Sequence, residues 1–149
     1  GAMAIHQPTN FLLTGMVDDV WESGSGEMII VDYKSTSTTK EISLEDEYKQ
    51  AYKRQMEFYQ HLFRLLGFTV CNTGYFVFAN ATKNRPKFDG KLEFVMSIVT
   101  HTGDDTWIDD KLALAKECLM TNKIPQPGVN CEYCEYRKRM AEEVASKMK

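Results

Sequence analysis

Apolar and polar positions along this chain fall into short blocks, and their spacing separates strands from helices. Residues 11–21 (FLLTGMVDDVW) and 27–34 (EMIIVDYK) are rich in β-branched and aromatic side chains. They are joined by Glu22-Ser23-Gly24-Ser25-Gly26, which predicts a β-hairpin, and a turn centred on Ser25 sets Asp18 opposite Asp32. Next, Tyr48, Ala51, Tyr52, Met56, Tyr59, Leu62, Phe63 and Leu66 recur at helical spacing. With Ser43 and Asp46 as a capping box and Gly67 as a stop, they predict a helix over 44–66. Residues 68–80 (FTVCNTGYFVFAN) and 92–100 (LEFVMSIVT) predict a second hairpin around the basic turn KNRPKFDGK. Trp107, Ile108, Leu112, Leu114, Ala115 and Leu119 predict a helix over 105–120, then a proline-containing loop and a short charged helix from Cys134 onward. The order β-β-α-β-β-α, with the first hairpin apolar on both sides, predicts an α/β fold in which helices flank a central mixed sheet.

Composition narrows this picture. At 149 residues, 43% of them hydrophobic and 11% aromatic, the chain has material for one domain with its own core. We read 1–149 as that domain, with Gly1-Ala2-Met3 as a tag remnant and 125–149 as a cysteine-containing tail. No run approaches the ~18 apolar residues of a membrane span and no signal peptide is visible, which predicts a cytoplasmic protein with no membrane partner. A net charge of −3 argues against a protein that coats nucleic acid non-specifically, so any such contact is local. Of four cysteines, Cys71 and Cys118 lie in apolar surroundings and read as buried thiols, leaving Cys131 and Cys134 as a closely spaced pair.

The first hairpin carries the candidate chemistry. Residues two apart on a strand share a face, so Asp32 and Lys34 point the same way. Carboxylates opposed across a strand pair stand ~4.5–5.5 Å apart at Cβ and repel, so Asp18 facing Asp32 calls for a cation. Oxygen donors suit Mg²⁺, Mn²⁺ or Ca²⁺. A lysine beside such an ion presents positive charge to an anionic substrate or holds an attacking water, an arrangement suited to phosphodiester hydrolysis. The plainer alternative is that both aspartates end their strands at a solvated rim. Asp19, on the other side of the strand, reads as structural or salt-bridging.

Gly15-Met16-Val17-Asp18, a loop, an apolar strand ending Asp32-Tyr33-Lys34 and a helix carrying Gln55-Met56-Glu57-Phe58-Tyr59 together resemble the RecB-type branch of the PD-(D/E)XK nuclease superfamily, which includes CRISPR adaptation nucleases. The resemblance runs from about residue 11 to 139. It implies a restriction-endonuclease-like core, Mg²⁺ or Mn²⁺ held by Asp18, Asp32 and the Tyr33 backbone carbonyl, a catalytic Lys34, and Gln55 and Tyr59 as the family's glutamine-x-x-x-tyrosine motif. Independently, four-residue spacing puts Gln55 and Tyr59 on one helix face. Relatives carry a helix before the first hairpin whose glutamate or histidine completes the metal site. That N-terminal helix is absent from this sequence, and His6 and Gln7 are given no metal role.

The segment PQPGVNCEYCEYRKRM resembles the C-terminal end of the same nucleases, where three cysteines and one upstream cysteine hold an iron–sulfur cluster. Here the third position is Met140 and no upstream cysteine precedes Cys71, so an iron–sulfur cluster is not expected. Cys131 and Cys134 read as a degenerate iron–sulfur or zinc pair or a site completed elsewhere; for a redox dithiol the helix-start context looks weak. His6, His61 and His101 lack ligand spacing and read as surface or satisfied residues. For DNA, Lys83, Arg85 and Lys87 in the basic turn, Lys49, Lys53 and Arg54 on the long helix, and Arg137 to Arg139 in the tail are candidate phosphate contacts, most of them equally readable as solvated charge. Two functions are therefore carried forward. One is a metal-dependent DNA nuclease acting on single strands or ends in repair, recombination or phage- or CRISPR-type processing. The other is a catalytically inactive nuclease-fold module, or a core lacking one metal ligand, that binds DNA or parts of a larger nuclease or helicase assembly.

Overall fold

The computed structural model describes residues 1–84, 87 and 89–147. The chain forms two compact units, Gly1–Ala113 and Leu114–Lys149. In the first, β1 (Ala2–His6) and β2 (Phe11–Gly15) make an antiparallel pair. The strands β3 (Asp19–Glu22), β4 (Met28–Thr36), β5 (Thr73–Ala81) and β6 (Phe94–Thr102) form a mixed sheet in that order. Its outer pairs are antiparallel and its central pair, β4 with β5, is parallel. Parallel neighbours need a crossover, supplied by helix α1 (Gln50–Leu65) after a 3-10 turn at Glu47–Lys49. This is a mixed α/β fold with helices flanking the sheet, consistent with a restriction-endonuclease-like core.

The central strands are continuous apolar runs because both their faces are covered: Ile30, Val31 and Phe76 have no exposed surface. Ile30, Phe76 and Phe78 pack with Met56 and Tyr59 of α1, and Leu44 and Val70 close the same core. The opposite side of α1 is tied by polar contacts. Glu57 accepts from Trp107 Nε1 at 2.7 Å and lies 3.0 Å from His101 Nε2. Gln60 Nε2 donates to the carbonyls of Cys71 and Asn72, and Arg64 bonds Asn72 and pairs with Asp105 at 2.8 Å.

Both expected hairpins form. The pairing of Asp19 with Val31 and Glu22 with Met28 is the register a turn at Ser25 sets, and β5 pairs with β6 from Thr73↔Thr102 to Ala81↔Phe94. Gly67, at φ +89°, follows the end of α1 as expected. Other expectations are corrected. The run 11–21 breaks at residues 16–18, and its first half pairs with β1, which begins at Ala2. The long helix starts at Gln50 rather than 44 because the capping box does not form: Asp46 pairs with Lys49 at 2.8 Å, and Ser43 Oγ accepts from Glu45 N, at 3.4 Å, rather than from Asp46 N. Cys71 and Cys118 are half-buried rather than buried. The histidines, expected as surface or satisfied residues, are of the second kind: His6 and His61 are buried and sit 3.3 and 3.4 Å from Asp109, and His101 meets Glu57. Helix α2 (Trp107–Leu119) begins in the first unit, and in the second α3 (Glu132–Lys147) starts two residues before Cys134.

Candidate active site

Strand parity does its expected work in β4. Asp32 is buried, Tyr33 turns outward and Lys34 returns to the Asp32 face, its Nζ 2.5 Å from Asp32 Oδ2. The pair is close but poorly aligned, and among the described residues Oδ2 has no hydrogen-bond donor of good geometry. Burial pushes the Asp32 carboxyl above its ordinary range, while Lys34 pulls it down less strongly and the Asp18 charge adds a further push up.

From Lys34 a chain of contacts runs into α1. Lys34 Nζ donates to Gln55 Oε1 at 3.0 Å, and Gln55 Nε2 donates to the Tyr59 hydroxyl at 2.9 Å. Residues four apart on one helix face make the second contact possible. Four of the residues singled out in the sequence, Asp32, Lys34, Gln55 and Tyr59, thus form one polar relay across the sheet–helix boundary. Tyr52, one turn before Gln55, places its ring 4.6 Å from Lys34 Nζ and leans on Phe76. Such a contact contributes about 0.5–2 kcal/mol and steadies the ammonium. In the sequence Tyr52 reads as an apolar helix position; its three-residue offset from Gln55 was the available signal.

Gly15 explains itself here. A Cβ at this position would lie 2.9 Å from Tyr59 Cε1 and 3.1 Å from Leu62 Cδ2, so only glycine lets β2 run against the Tyr59 ring. The following bend carries Asp18, which is exposed and lies just before β3 rather than within a strand. Its Oδ2 accepts the Tyr33 backbone N–H at 2.9 Å, which fixes it beside the Asp32-Tyr33 peptide. Asp19 is structural, through hydrogen bonds and, among the described residues, without an ion pair. It accepts from the Tyr33 hydroxyl at 2.8 Å, Trp21 Nε1 at 3.0 Å and Val20 N at 2.8 Å. Those donors, Tyr33 first, hold its carboxyl below the ordinary range, and the same bond raises the Tyr33 hydroxyl.

The basic candidates divide. Arg54 is exposed on a mainly apolar groove of about 900 Å³ that it shares with Gln55, Phe58, Tyr59 and Trp107. Lys53 pairs with Glu45 at 3.2 Å, and Lys83 donates to the Ser37 carbonyl at 2.7 Å. Lys49 is buried against Asp46 and the Ser43 carbonyl. Lys87 is exposed, and Arg85 lies outside the described residues. A smaller, polar cavity of about 340 Å³ opens beyond Lys34, where Ser35, Thr36, Thr38, Ser43 and Tyr52 meet.

The donor set fits a hard divalent cation. Two carboxylates and one main-chain carbonyl are what Mg²⁺ accepts from protein, the rest of its shell coming from water and phosphate. Asp32 Oδ2, beside Lys34 but without a well-aligned donor among the described residues, keeps coordination capacity for such an ion. Among the described residues no cluster of three or more His, Cys, Asp or Glu is arranged to hold a metal, so protein side chains supply at most a partial shell. No helix among the described residues is long and apolar enough to cross a membrane.

Among known proteins, the family model of the PD-(D/E)XK nuclease superfamily matches residues 2–139. No curated protein and no solved structure matches the chain.

Proposed function

The chain belongs to the PD-(D/E)XK nuclease superfamily, whose members are metal-dependent nucleases, and from that membership we propose a Mg²⁺- or Mn²⁺-dependent deoxyribonuclease of the RecB-type branch. Asp18, Asp32 and the Tyr33 carbonyl hold the ion, with 1–149 acting as one nuclease domain. When bound, the ion neutralises charge on the phosphoryl oxygens and makes water a better nucleophile. The chain's own residues do the rest. Lys34 Nζ, anchored between Asp32 and Gln55, has a remaining N–H to orient a water or take a phosphate oxygen, and it presents positive charge where negative charge builds up. Gln55 and Tyr59 fix the lysine and border the Arg54 groove, where a DNA strand meets a cation beside apolar walls. Lys53, Lys83, Arg85 and Lys87 serve as outlying phosphate contacts, and the wider role is repair, recombination or phage- or CRISPR-type DNA processing, alone or within a larger nuclease or helicase assembly.

The observation that carries this reading is the relay from Asp32 through Lys34 and Gln55 to Tyr59. Its test is calorimetric titration with Mn²⁺ alongside cleavage of single-stranded DNA, for the chain and for Asp32→Ala. Metal binding and metal-dependent cutting, both lost in the variant, are expected. No binding and no cutting by the unaltered chain would overturn the proposal. A second reading, a nuclease-fold module without catalysis, draws support from Asp18, which is exposed and already engaged with Tyr33 N. Metal binding without cutting would favour it.

A further inference from the structure

The unit Leu114–Lys149 holds a second cluster of reactive groups that the nuclease reading does not use. Cys131 stands immediately before α3 and Cys134 lies one turn on, at the helix-start position that the sequence pattern supports only weakly. Both thiols are free, Cys131 half-buried and Cys134 exposed. Three residues apart at the opening of a helix, the two side chains sit on one face, which sets the Cys134 thiol beside Cys131. The neighbouring Cys134 side chain, then its backbone N–H, hold the Cys131 thiol below its ordinary value, and proximity to Cys131 holds Cys134 above it. Both sulfurs open on a surface cavity of about 430 Å³ that reaches Gly128 and Lys138. Two sulfurs are half of a tetrahedral ligand set, and among the described residues no third ligand joins them.

We propose that Cys131 and Cys134 are a reversible dithiol–disulfide couple that exchanges with small-molecule disulfides through this cavity, Cys131 attacking and Cys134 resolving. In the first step the Cys131 thiolate attacks one sulfur of the small disulfide, forms a mixed disulfide and expels one thiolate. In the second, Cys134 loses its proton to water and attacks Cys131 Sγ, expelling the second thiolate. The two cysteines are oxidised by two electrons and the small disulfide is reduced to two thiols. The one-turn spacing puts the resolving sulfur on the same helix face, and the exposure of Cys134 on the shared cavity admits the oxidant.

The test is incubation of the whole chain with oxidised glutathione, read by intact mass and peptide mapping. The expected product has lost two hydrogens, carries its new bond between Cys131 and Cys134 and is restored by dithiothreitol. Cys134→Ser should retain one glutathione on Cys131, and Cys131→Ser should form neither adduct nor bond at Cys134. Glutathione trapped on Cys71 or Cys118 as fast as on Cys131 would overturn the proposal. So would zinc or iron that copurifies with the chain and is lost in Cys131→Ser. The readout is a sulfur–sulfur bond, so it is independent of whether the chain cuts DNA.

Discussion

Asp32 and Glu57 are both largely buried carboxylates on either side of the sheet–helix boundary, yet their surroundings differ. Each Glu57 oxygen has its own partner, His101 on β6 and Trp107 on α2, and the residue acts as a clamp between three elements. Asp32 has one lysine at close range in poor alignment, an oxygen without a good donor, and a carboxyl that burial drives toward protonation. A buried charge so poorly compensated costs stability, which a folded chain tolerates where a cation is to be bound. The comparison separates a carboxylate that holds the fold together from one that the fold leaves poorly satisfied.

The largest effect should come from Asp32→Ala, which removes that poorly satisfied carboxylate. Cleavage should fall by at least about a hundredfold, the loss typical of removing a transition-state electrostatic group. Thermal stability measured in chelator should hold or rise. Glu57→Ala should do the reverse. It strands the donors of His101 and Trp107 and should cost about 2–4 kcal/mol in denaturant unfolding, with cleavage per folded molecule little changed. If Glu57→Ala instead abolished cutting in a fully folded sample, the contrast would fail. Gly15→Ala links the two behaviours, since its methyl group must displace the Tyr59 ring. Overpacking of this kind costs about 1–3 kcal/mol, and the disturbed relay should also slow cleavage.

pH sharpens the same contrast. Folding raises the Asp32 pKa, so between its ordinary and its raised value the folded chain binds more protons than the unfolded one, and stability falls as pH rises through that window. Asp32→Asn should flatten this fall in metal-free unfolding curves; an unchanged slope would mean another group is responsible. The smallest effect is expected at Asp46, an exposed carboxylate held below its ordinary pKa by Lys49. Its contribution is present above the ordinary value and is lost as pH falls through the lowered one, and Asp46→Asn should remove only that shallow acid-side loss.

What could be read in advance follows from how local each cause is. Strand parity and turn composition are short-range, so the β3–β4 register and the sharing of a face by Asp32 and Lys34 were legible. So was the Gln55–Tyr59 spacing, because a helix repeats. The break at residues 16–18 was not legible, because it depends on β1 competing for the first half of an apolar run that looks continuous. Ser43 and Asp46 show the same limit: a capping box is a local pattern, but Lys49 captures Asp46 first. Tyr52 was visible as a helix position and invisible as the support under Lys34, since its partner arrives from strand β4. The carboxylate that His6 and His61 both approach, Asp109, likewise comes from far along the chain.

The parallel pairing of β4 with β5 bears on how the chain reaches its native state. Val31 meets Tyr75 only after the whole of α1 has been laid down between them. A loop of that length loses its freedom before any contact rewards it, so this closure is the slow step expected of the topology. Asp32 and Lys34 ride on one of the two closing strands, and Gln55 and Tyr59 on the helix that spans them. The relay therefore spans both partners of this closure, and a chain still short of it would carry the residues of the relay without the contacts that join them.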